Sequence, residues 1–393
     1  MKLITSATRE KTIDFAISQI FSNFPDMESG GEKPVFGIFY STTGYDQNSL
    51  VQKIAEKMKG IPWIGCSVEG TITKDLGSVE ATHVASLGLF YSKKVQFTPV
   101  MAKGLSKDSG AAAQSILEQV KSIKDMKAMI VLPDGLTCNN TALLKTLSEG
   151  LPEACPVLGG LASESLTFQK TYQYFQGEVI SDSVVGFALS GPVDVHHVVA
   201  HGCEPIGLGH QVTEARGPWI DKIDQRPAWD VFKEYLDGDP QTLTAQDVGH
   251  MCIGEKVEPV LNEYDQYIIR TTLALDASKG AIFLPCEIQA GTRIQMTRRD
   301  PEKIKKTAGE AAERLMSKNK GTMDCVLQFD CIGRGNAIFA GRTNEMAMQP
   351  IHHKIPAATN IFGFHTYGEL APRGNKNHVH NFSVVLVGLT EKN

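Results

Sequence analysis

Several features that would place a protein in a membrane, outside the cell or on nucleic acid are missing from this sequence. No apolar run approaches the ~20 residues of a membrane-spanning helix, and the N-terminus lacks the apolar core and cleavage site of a signal peptide. The eight cysteines are scattered without a CxxC pair, which suits reduced thiols and argues against a zinc ribbon or a disulfide scaffold. With a formal net charge of −5, neither nucleic acid nor an anionic membrane is an expected partner. We therefore expect a cytoplasmic protein.

Motifs of the common enzyme classes are missing as well. There is no GxSxG elbow, no kinase or zincin motif, and no repeat with a period of about 20 to 50 residues. The pair Gly159 and Gly160 lacks the spacing of a dinucleotide or phosphate loop and predicts a tight turn. From the sequence we expect neither a cofactor nor a metal.

What is present is typical of a folded α/β protein. A chain of 393 residues exceeds one ordinary core, and the composition changes near Gly217, so we predict two domains, 1–216 and 217–393. Short apolar runs at 35–40 and 128–133 predict buried strands, each followed by a helical pattern. The runs 83–91 and 95–100 predict a meander pair. Together these patterns favour an α/β fold with α+β character, in which each domain is a mixed sheet covered by helices.

Five segments, in order along nearly the whole chain, resemble the FIST family with its N-terminal and C-terminal FIST domains. They are IGCSVEG (64–70), PVLGGLASE (156–164), HGCEPIG (201–207), LQFDCIGR (327–334) and FHTYGEL with HVHNFSVVLV (364–370 and 378–387). The resemblance implies a sensory protein that binds a small ligand, possibly an amino acid or a related carboxylate. It also implies a signalling partner protein.

The segment LQFDCIGR predicts one part of a binding pocket. Cys331 lies at the carboxyl end of a predicted strand, where α/β sheets open their ligand crevices. Arg334 follows three residues later and is suited to bind a carboxylate through two hydrogen bonds. The alternative interpretation of Cys331 is a small buried hydrophobic residue.

A second part of the pocket is predicted at the C-terminal polar stretch. Tyr367 and Glu369 are two residues apart in a predicted extended segment, so we expect them to share a face, with Glu369 receiving a ligand ammonium. His380 and Asn381 are predicted to orient the ligand, while His378 and His380 lack a standard metal-ligand spacing. The predicted ligand-binding residues are Cys331, Arg334, Tyr367, Glu369, His380 and Asn381.

Two alternatives stay open at this point. One is a cysteine-dependent enzyme, for acyl transfer or hydrolysis, in which Cys331 is the nucleophile, His380 or His365 its base and Glu369 the orienting acid. The other is a second pocket in the N-terminal half, at a strand end and a helix start, where a helix N-terminus attracts anions or stabilises a thiolate. Its candidate residues are Cys66, Asp134, Cys138, Asn139 and Gly160. A structural turn capped by Asn139 is the competing interpretation of that second group.

Overall fold

The computed structural model describes residues 1–25, 32–153, 155–236, 251–258 and 266–392. The strands are β1 (Lys2–Thr8), β2 (Phe36–Ser41), β3 (Trp63–Ser67), β4 (Gly70–Thr73), β5 (Gly77–Glu80), β6 (Ala85–Tyr91), β7 (Gln96–Lys103), β8 (Met126–Pro133), β9 (Val157–Gly160), β10 (Gln173–Phe175), β11 (Glu178–Ile180), β12 (Ser183–Ser190), β13 (Val193–His201), β14 (Cys203–Arg216), β15 (Trp219–Ile223), β16 (Arg226–Pro227), β17 (Met251–Lys256), β18 (Tyr267–Thr271), β19 (Ala274–Asp276), β20 (Ala281–Phe283), β21 (Arg293–Arg299), β22 (Cys325–Cys331), β23 (Asn360–Thr366), β24 (Glu369–Arg373), β25 (Lys376–His380) and β26 (Ser383–Glu391). The helices are α1 (Ile13–Ser22), α2 (Gln47–Lys57), α3 (Leu105–Val120), α4 (Asn140–Gly150), α5 (Ala228–Lys233), α6 (Pro301–Ser317), α7 (Asn336–Phe339) and α8 (Gln349–His352).

The α/β fold class with mixed sheets is confirmed. In strand order, sheet A is β1-β6-β2-β3-β10-β11, sheet B is β25-β24-β9-β8-β12-β7, and sheet C is β13-β26-β22-β23-β4-β5. Sheet D contains β18-β17-β21-β14-β15-β20-β19, with β16 beside β15. Each of sheets A, B and C combines one parallel pair with antiparallel neighbours: β2 with β3, β8 with β9, and β22 with β23.

Sheets A, B and C repeat one topology, so the chain contains three related units. In each unit the first strand pairs antiparallel with the last, and the last pairs antiparallel with the first strand of the parallel pair. Sheet D interrupts the third unit between β13 and α6. The first unit begins at Lys2 and the second at Gln96, so this repeat is longer than the period of about 20 to 50 residues that is typical of solenoids.

The units exchange hairpins, which binds them together. After its parallel pair, each unit sends a hairpin to another sheet: β4–β5 joins β23, β10–β11 joins β3, and β24–β25 joins β9. The predicted domain boundary between 216 and 217 falls in the turn between β14 and β15, inside sheet D. Strands from both sides of this boundary share sheets B and C, whereas the boundary itself stays a prediction from sequence.

The inner faces of sheets A, B and C pack on one common core. The ring of Phe36 in sheet A lies 5.2 Å from that of Phe97 and 4.9 Å from that of Phe187, both in sheet B. Tyr40 in sheet A stacks on Phe362 in sheet C at 5.0 Å. Since large aromatic side chains contribute most of the buried apolar area of a core, these contacts hold the three units together.

A glycine occupies the same position in the second strand of each parallel pair. A Cβ atom there would lie 1.8, 2.0 or 1.7 Å from the carbonyl oxygen of the residue opposite, far inside any contact distance. The glycines are Gly65, Gly159 and Gly363, and the opposite residues are Phe39, Val131 and Gln328. The predicted tight turn at Gly159 and Gly160 is therefore wrong: both belong to β9, and Gly159 permits close approach of two backbones.

The predicted meander of 83–91 and 95–100 is also wrong. β6 pairs with β1 and β2 in sheet A, whereas β7 pairs with β12 in sheet B. The connection between β6 and β7 is short, but it carries the chain from one unit into the next. Among the described residues, no helix is long and apolar enough to cross a membrane.

Candidate functional site

Three loops, one from each unit, meet where β3, β9 and β23 end. Ser163 holds them together, because its hydroxyl donates to the His365 carbonyl and accepts the Glu69 N–H at 2.9 Å. The Ser67 hydroxyl donates to the Ser163 carbonyl at 2.9 Å, and the Tyr367 N–H donates to the Leu161 carbonyl at 3.2 Å. We call residues 67–70, 161–164 and 365–369 the loop junction. The 161–164 loop is therefore hydrogen-bonded to both of the others.

The predicted residue Arg334 is fully buried beside the loop junction. Its Nε donates to Asp330 Oδ1 at 2.8 Å, while Asp330 Oδ2 accepts from Gln328 Nε2 at 3.1 Å. Asp330 lies opposite His365 in the parallel register of β22 and β23, so their side chains emerge on the same face of sheet C. The ion pair of Arg334 and Asp330 balances the buried positive charge.

The hydrogen-bonding capacity of Arg334 and His365 is only partly used. Arg334 Nη1 and Nη2 and His365 Nδ1 are buried and have no hydrogen-bond partner among the described residues. Buried polar atoms are nearly always paired, and an unpaired one costs roughly 1–3 kcal/mol. The two Arg334 nitrogens are donors that no described residue uses. The Ser78 hydroxyl donates to Glu80 Oε1 at 3.2 Å, so His365 Nε2 donates to Ser78 Oγ and Nδ1 is left as the acceptor nitrogen of the ring.

The other nitrogen of His365 is held by the exchanged hairpin. His365 Nε2 lies 2.7 Å from Ser78 Oγ and 3.7 Å from Glu80 Oε1, and both residues belong to β5. Glu80 Oε2 also accepts the N–H of Asn336 at 2.7 Å, at the start of α7. The first unit therefore supplies a carboxylate to a site built mainly by the third.

Glu369 is fully buried and its two oxygens are engaged by hydroxyl groups. The Thr366 hydroxyl donates to Oε1, and the Ser383 hydroxyl donates to Oε2 at 2.6 Å. Burial, opposed in part by these hydrogen bonds, raises the pKa of Glu369 to about 8. A carboxyl group with this pKa is mostly protonated at pH 7, which makes it a poor receptor for an ammonium group.

Tyr367 and Glu369 do not belong to one strand, so the extended segment on which they were expected to share a face is wrong. Tyr367 lies between the end of β23 and the start of β24, and the turn there breaks the strand alternation. Its hydroxyl donates to Glu164 Oε1 at 2.5 Å, and its ring stacks on Phe168 with centroids 5.2 Å apart. Burial and then Glu80 and Glu164 raise the pKa of neighbouring Glu69 to about 7.

Cys331 ends β22 as predicted, but its surroundings are apolar. It packs with Cys203, Cys252 and Phe382 in a small buried cluster. Burial, followed by Glu369, raises the pKa of the Cys331 thiol well above its usual value. A reactive cysteine needs its thiolate, so this environment disfavours the enzyme alternative.

We expect Cys331 in the folded protein to resist iodoacetamide at pH 8, where a typical exposed thiol with a pKa of about 8.5 is alkylated readily. Mass spectrometry of peptides after timed alkylation measures this, with the same protein unfolded in urea as the comparison, since unfolding exposes every cysteine. Rapid labelling of Cys331 with an inflection below pH 7 would contradict this expectation and revive the nucleophile hypothesis.

His380 links the two strands of the β24–β25 hairpin, and Asn381, directly after β25, contacts β18 of sheet D. His380 Nε2 donates to the Ala371 carbonyl at 3.1 Å, and Asn381 Oδ1 accepts the N–H of Thr271 at 3.2 Å. The rings of His378 and His380 lie 6.3 Å apart. Among the described residues, no group of three His, Cys, Asp or Glu side chains is arranged to hold a metal ion.

The residues of the second predicted pocket do not all come together. Asp134 accepts the N–H groups of Leu136 and Asp182, both at 2.9 Å, and Asn139 accepts that of Ala142 at 3.1 Å as a helix cap. Burial raises the pKa of the nearby Cys138 thiol to about 12. Cys66 lies in the common core, and Gly160 lies opposite Glu369 in sheet B. This geometry favours the structural turn over a pocket.

Sequence reasoning missed several residues of the loop junction and its surroundings. They are Ser78, Glu80, Ser163, Glu164 and Asp330. A signal existed for Asp330, since it precedes Arg334 by four residues and alternation puts it on the face opposite Cys331. No such signal existed for Ser78 and Glu80, because the hairpin exchange that brings them to His365 arises only in the tertiary fold.

The structure thus defines an α/β protein of mixed sheets with a buried polar site at the meeting point of its units. Within the chain, residues 35–226 match the FIST N domain and residues 228–372 match the FIST C domain. The chain belongs to the FIST family. FIST domains are associated with sensory roles in signal transduction.

The sequence relatives are themselves uncharacterized. Protein Mb0898c of Mycobacterium bovis and protein MT0897 of Mycobacterium tuberculosis are each 28% identical over 261 residues, which is 65% of this chain and 65% of the relative. The match therefore spans less than two thirds of the length of these curated relatives.

Two solved structures are distantly similar. A chorismatase has a TM-score of 0.34 at 8% identity, covering 99% of this chain and 98% of its own. A cyanuric acid hydrolase has a TM-score of 0.27 at 8% identity, covering 76% of this chain and 99% of its own. At these TM-scores neither likeness bears on function.

Proposed function

We propose that this FIST protein is a cytoplasmic sensory protein whose buried site takes the carboxylate of a small ligand, such as an amino acid. The observation that carries the proposal is the pair of unpartnered buried nitrogens, Nη1 and Nη2, of Arg334. A guanidinium offers two parallel N–H groups to a carboxylate, which is a geometry that a lysine cannot reproduce.

Hydrogen-bond geometry supports a carboxylate at this position, and the added negative charge is a cost that the new hydrogen bonds have to offset. Asp330 already neutralises Arg334, so a ligand carboxylate adds one negative charge to a nearly neutral pair. Protonation of Glu369 at pH 7 limits repulsion from that side. Binding therefore exchanges unused donors for charge-assisted hydrogen bonds, each of which is stronger than a neutral one.

For the ligand ammonium we propose a different acceptor from the one expected from sequence. Glu369, the residue expected from sequence, is occupied by Thr366 and Ser383. We assign this role instead to the acidic side of the loop junction, where Glu69 is only partly buried and lies near Glu80 and Glu164. An ammonium there would lower the raised pKa of Glu69, since a cation favours the ionised carboxylate.

Transmission of the signal follows from the shared construction of the site. The loop junction draws on all three units, and the start of α7 contacts Glu80. A ligand that binds one arrangement of these elements better than another shifts the population toward it. We propose that a signalling partner protein recognises this shift.

The test is calorimetric titration with the twenty standard amino acids and a series of small mono- and dicarboxylates. For any member that binds, we expect Arg334→Gln to weaken the affinity by ~10–100-fold, the loss expected for charge-assisted hydrogen bonds. The matched control is Arg342→Gln, which removes an exposed arginine paired with Glu345.

Circular dichroism confirms folding of the variants, and Arg334→Lys serves if Arg334→Gln fails to fold. Lysine retains the charge but not the planar pair of donors, so it too is expected to bind less tightly. Unchanged affinity in a folded Arg334 variant places the ligand elsewhere and refutes the proposal.

A further inference from the structure

A cavity of about 520 Å³ lies where β13, the C-terminal end of α6, β18 and the β24–β25 hairpin meet. Small-molecule sites have volumes of ~300–1,000 Å³, so this cavity is large enough for a metabolite. Arg334 and the loop junction do not line it. Its ionisable lining residues are His197, His201, Arg314, Lys318, Arg373 and His380.

The charge of this lining has one sign. Two guanidinium groups and one ammonium group line the cavity, and its described lining includes no aspartate or glutamate. The chain as a whole carries a net charge of −5, so this concentration of cations is local. Arg314 and Lys318 lie at the C-terminal end of α6, where a helix favours cations in any case. Arg373 comes from β24 and is not explained by that helix.

His201 provides the cavity lining with a hydrogen-bond donor whose orientation is fixed by the backbone. Its Nδ1 accepts the N–H of Cys203 at 3.2 Å, which places the imidazole proton on Nε2. Nε2 is buried and has no hydrogen-bond partner among the described residues. The backbone thus fixes an N–H donor whose acceptor is missing, in a residue that lines the cavity.

The other imidazoles are uncharged at neutral pH. Burial and then Lys318 lower the pKa of His197 to about 4, and burial lowers the pKa of His380 well below its usual value. His380 Nε2 donates to the Ala371 carbonyl, which leaves Nδ1 as an acceptor for a hydroxyl group. The lining therefore combines permanent cations, one free N–H donor and one acceptor.

We propose that this cavity is a second ligand site and that it takes a small organic anion with at least two negative charges. Phosphate monoesters and di- or tricarboxylates share this chemistry. Arg373 and Lys318 would attract the charge from two different elements, and His201 Nε2–H would donate to one anionic oxygen. Because the ligand would contact both the third unit and β18 of sheet D, its binding would also fix sheet D against that unit.

The test is calorimetric titration at pH 7.5 and constant ionic strength with inorganic phosphate, glucose 6-phosphate and citrate, with glucose as the uncharged control. We expect glucose 6-phosphate or citrate to bind and glucose not to bind; which anion binds more tightly distinguishes a phosphate from a carboxylate ligand. The double variant Lys318→Gln/Arg373→Gln is expected to lose ~10–100-fold in affinity, as charge-assisted contacts are removed. Lys318 is exposed, so Lys318→Gln alone keeps the test possible if the double variant fails to fold, with a smaller loss expected.

Lys306→Gln is the matched control, because it removes one cation from the same helix outside the cavity. It should bind as the unaltered protein does. The proposal is overturned if none of the three anions binds, if the cavity variants bind them undiminished, or if Lys306→Gln weakens binding equally. Arg334→Gln should leave this affinity unchanged, so the two sites can fail independently.

Discussion

Gly363→Ala is expected to lower the free energy of unfolding by about 3 kcal/mol or more, or to prevent folding altogether. The new methyl group would lie 1.7 Å from the Gln328 carbonyl oxygen, which is backbone and cannot rotate away. Strands β22 and β23, which carry Gln328 and Gly363, are buried between the common core and the helices over sheet C. Neither strand can shift without disturbing its neighbours. Overpacking of a well-packed interior costs ~1–3 kcal/mol and sometimes more. Urea denaturation followed by circular dichroism measures the loss.

The matched control is Gly209→Ala in sheet D, where the nearest atom to a new Cβ would be the Ile294 carbonyl oxygen at 4.0 Å. A change within about 1 kcal/mol is expected there, as for most substitutions that meet no neighbour. Gly65→Ala, at the equivalent position of the first unit, should resemble Gly363→Ala. Similar small effects of all three substitutions would contradict the close approach of the parallel strands.

The three glycines also show which parts of the fold the sequence could predict. Apolar runs located β2 and β8, and the strand end predicted at Cys331 is the end of β22. Pairing was not predictable in the same way, since periodicity reports the face of a strand and not its neighbour. The exchange of hairpins between units is therefore absent from the sequence prediction.

The candidate site shows the same difference between features that local sequence predicts and features that only the tertiary fold creates. Arg334 was predicted as a ligand-binding residue because a strand end and a family resemblance coincide in one continuous segment, and its ligand role stays a proposal. Glu80 was missed because it reaches His365 from another unit, across a sheet that only tertiary folding creates. Residue type also misled at Glu369, whose burial changes its charge and so its chemistry. Local sequence thus identifies a residue but not its protonation state, which depends on the whole packed surroundings.

Glu369→Gln is expected to remove a pH dependence of stability of about 2–4 kcal/mol between pH 5 and pH 8. The folded protein holds the Glu369 proton up to a pKa of about 8, whereas the unfolded chain releases it near 4.5. The folded state therefore binds more protons in this range, so the free energy of unfolding falls as the pH rises from 4.5 through 8. Glutamine is uncharged at every pH. Its oxygen can accept from the Ser383 hydroxyl, and its NH2 group can donate to the Thr366 hydroxyl oxygen. The variant should thus be more stable than the unaltered protein at pH 8.

Urea denaturation at a series of pH values compares the two proteins, and Glu56→Gln is the matched control because Glu56 is exposed on α2. The difference in the free energy of unfolding between Glu369→Gln and the unaltered protein should shrink or change sign toward pH 5. The free energy of unfolding of Glu56→Gln should follow that of the unaltered protein at every pH. If all three profiles are parallel, Glu369 is ionised in the folded state at pH 7. In that case it would remain available to a ligand ammonium, and the assignment of that role to the acidic side of the loop junction would have to be reversed.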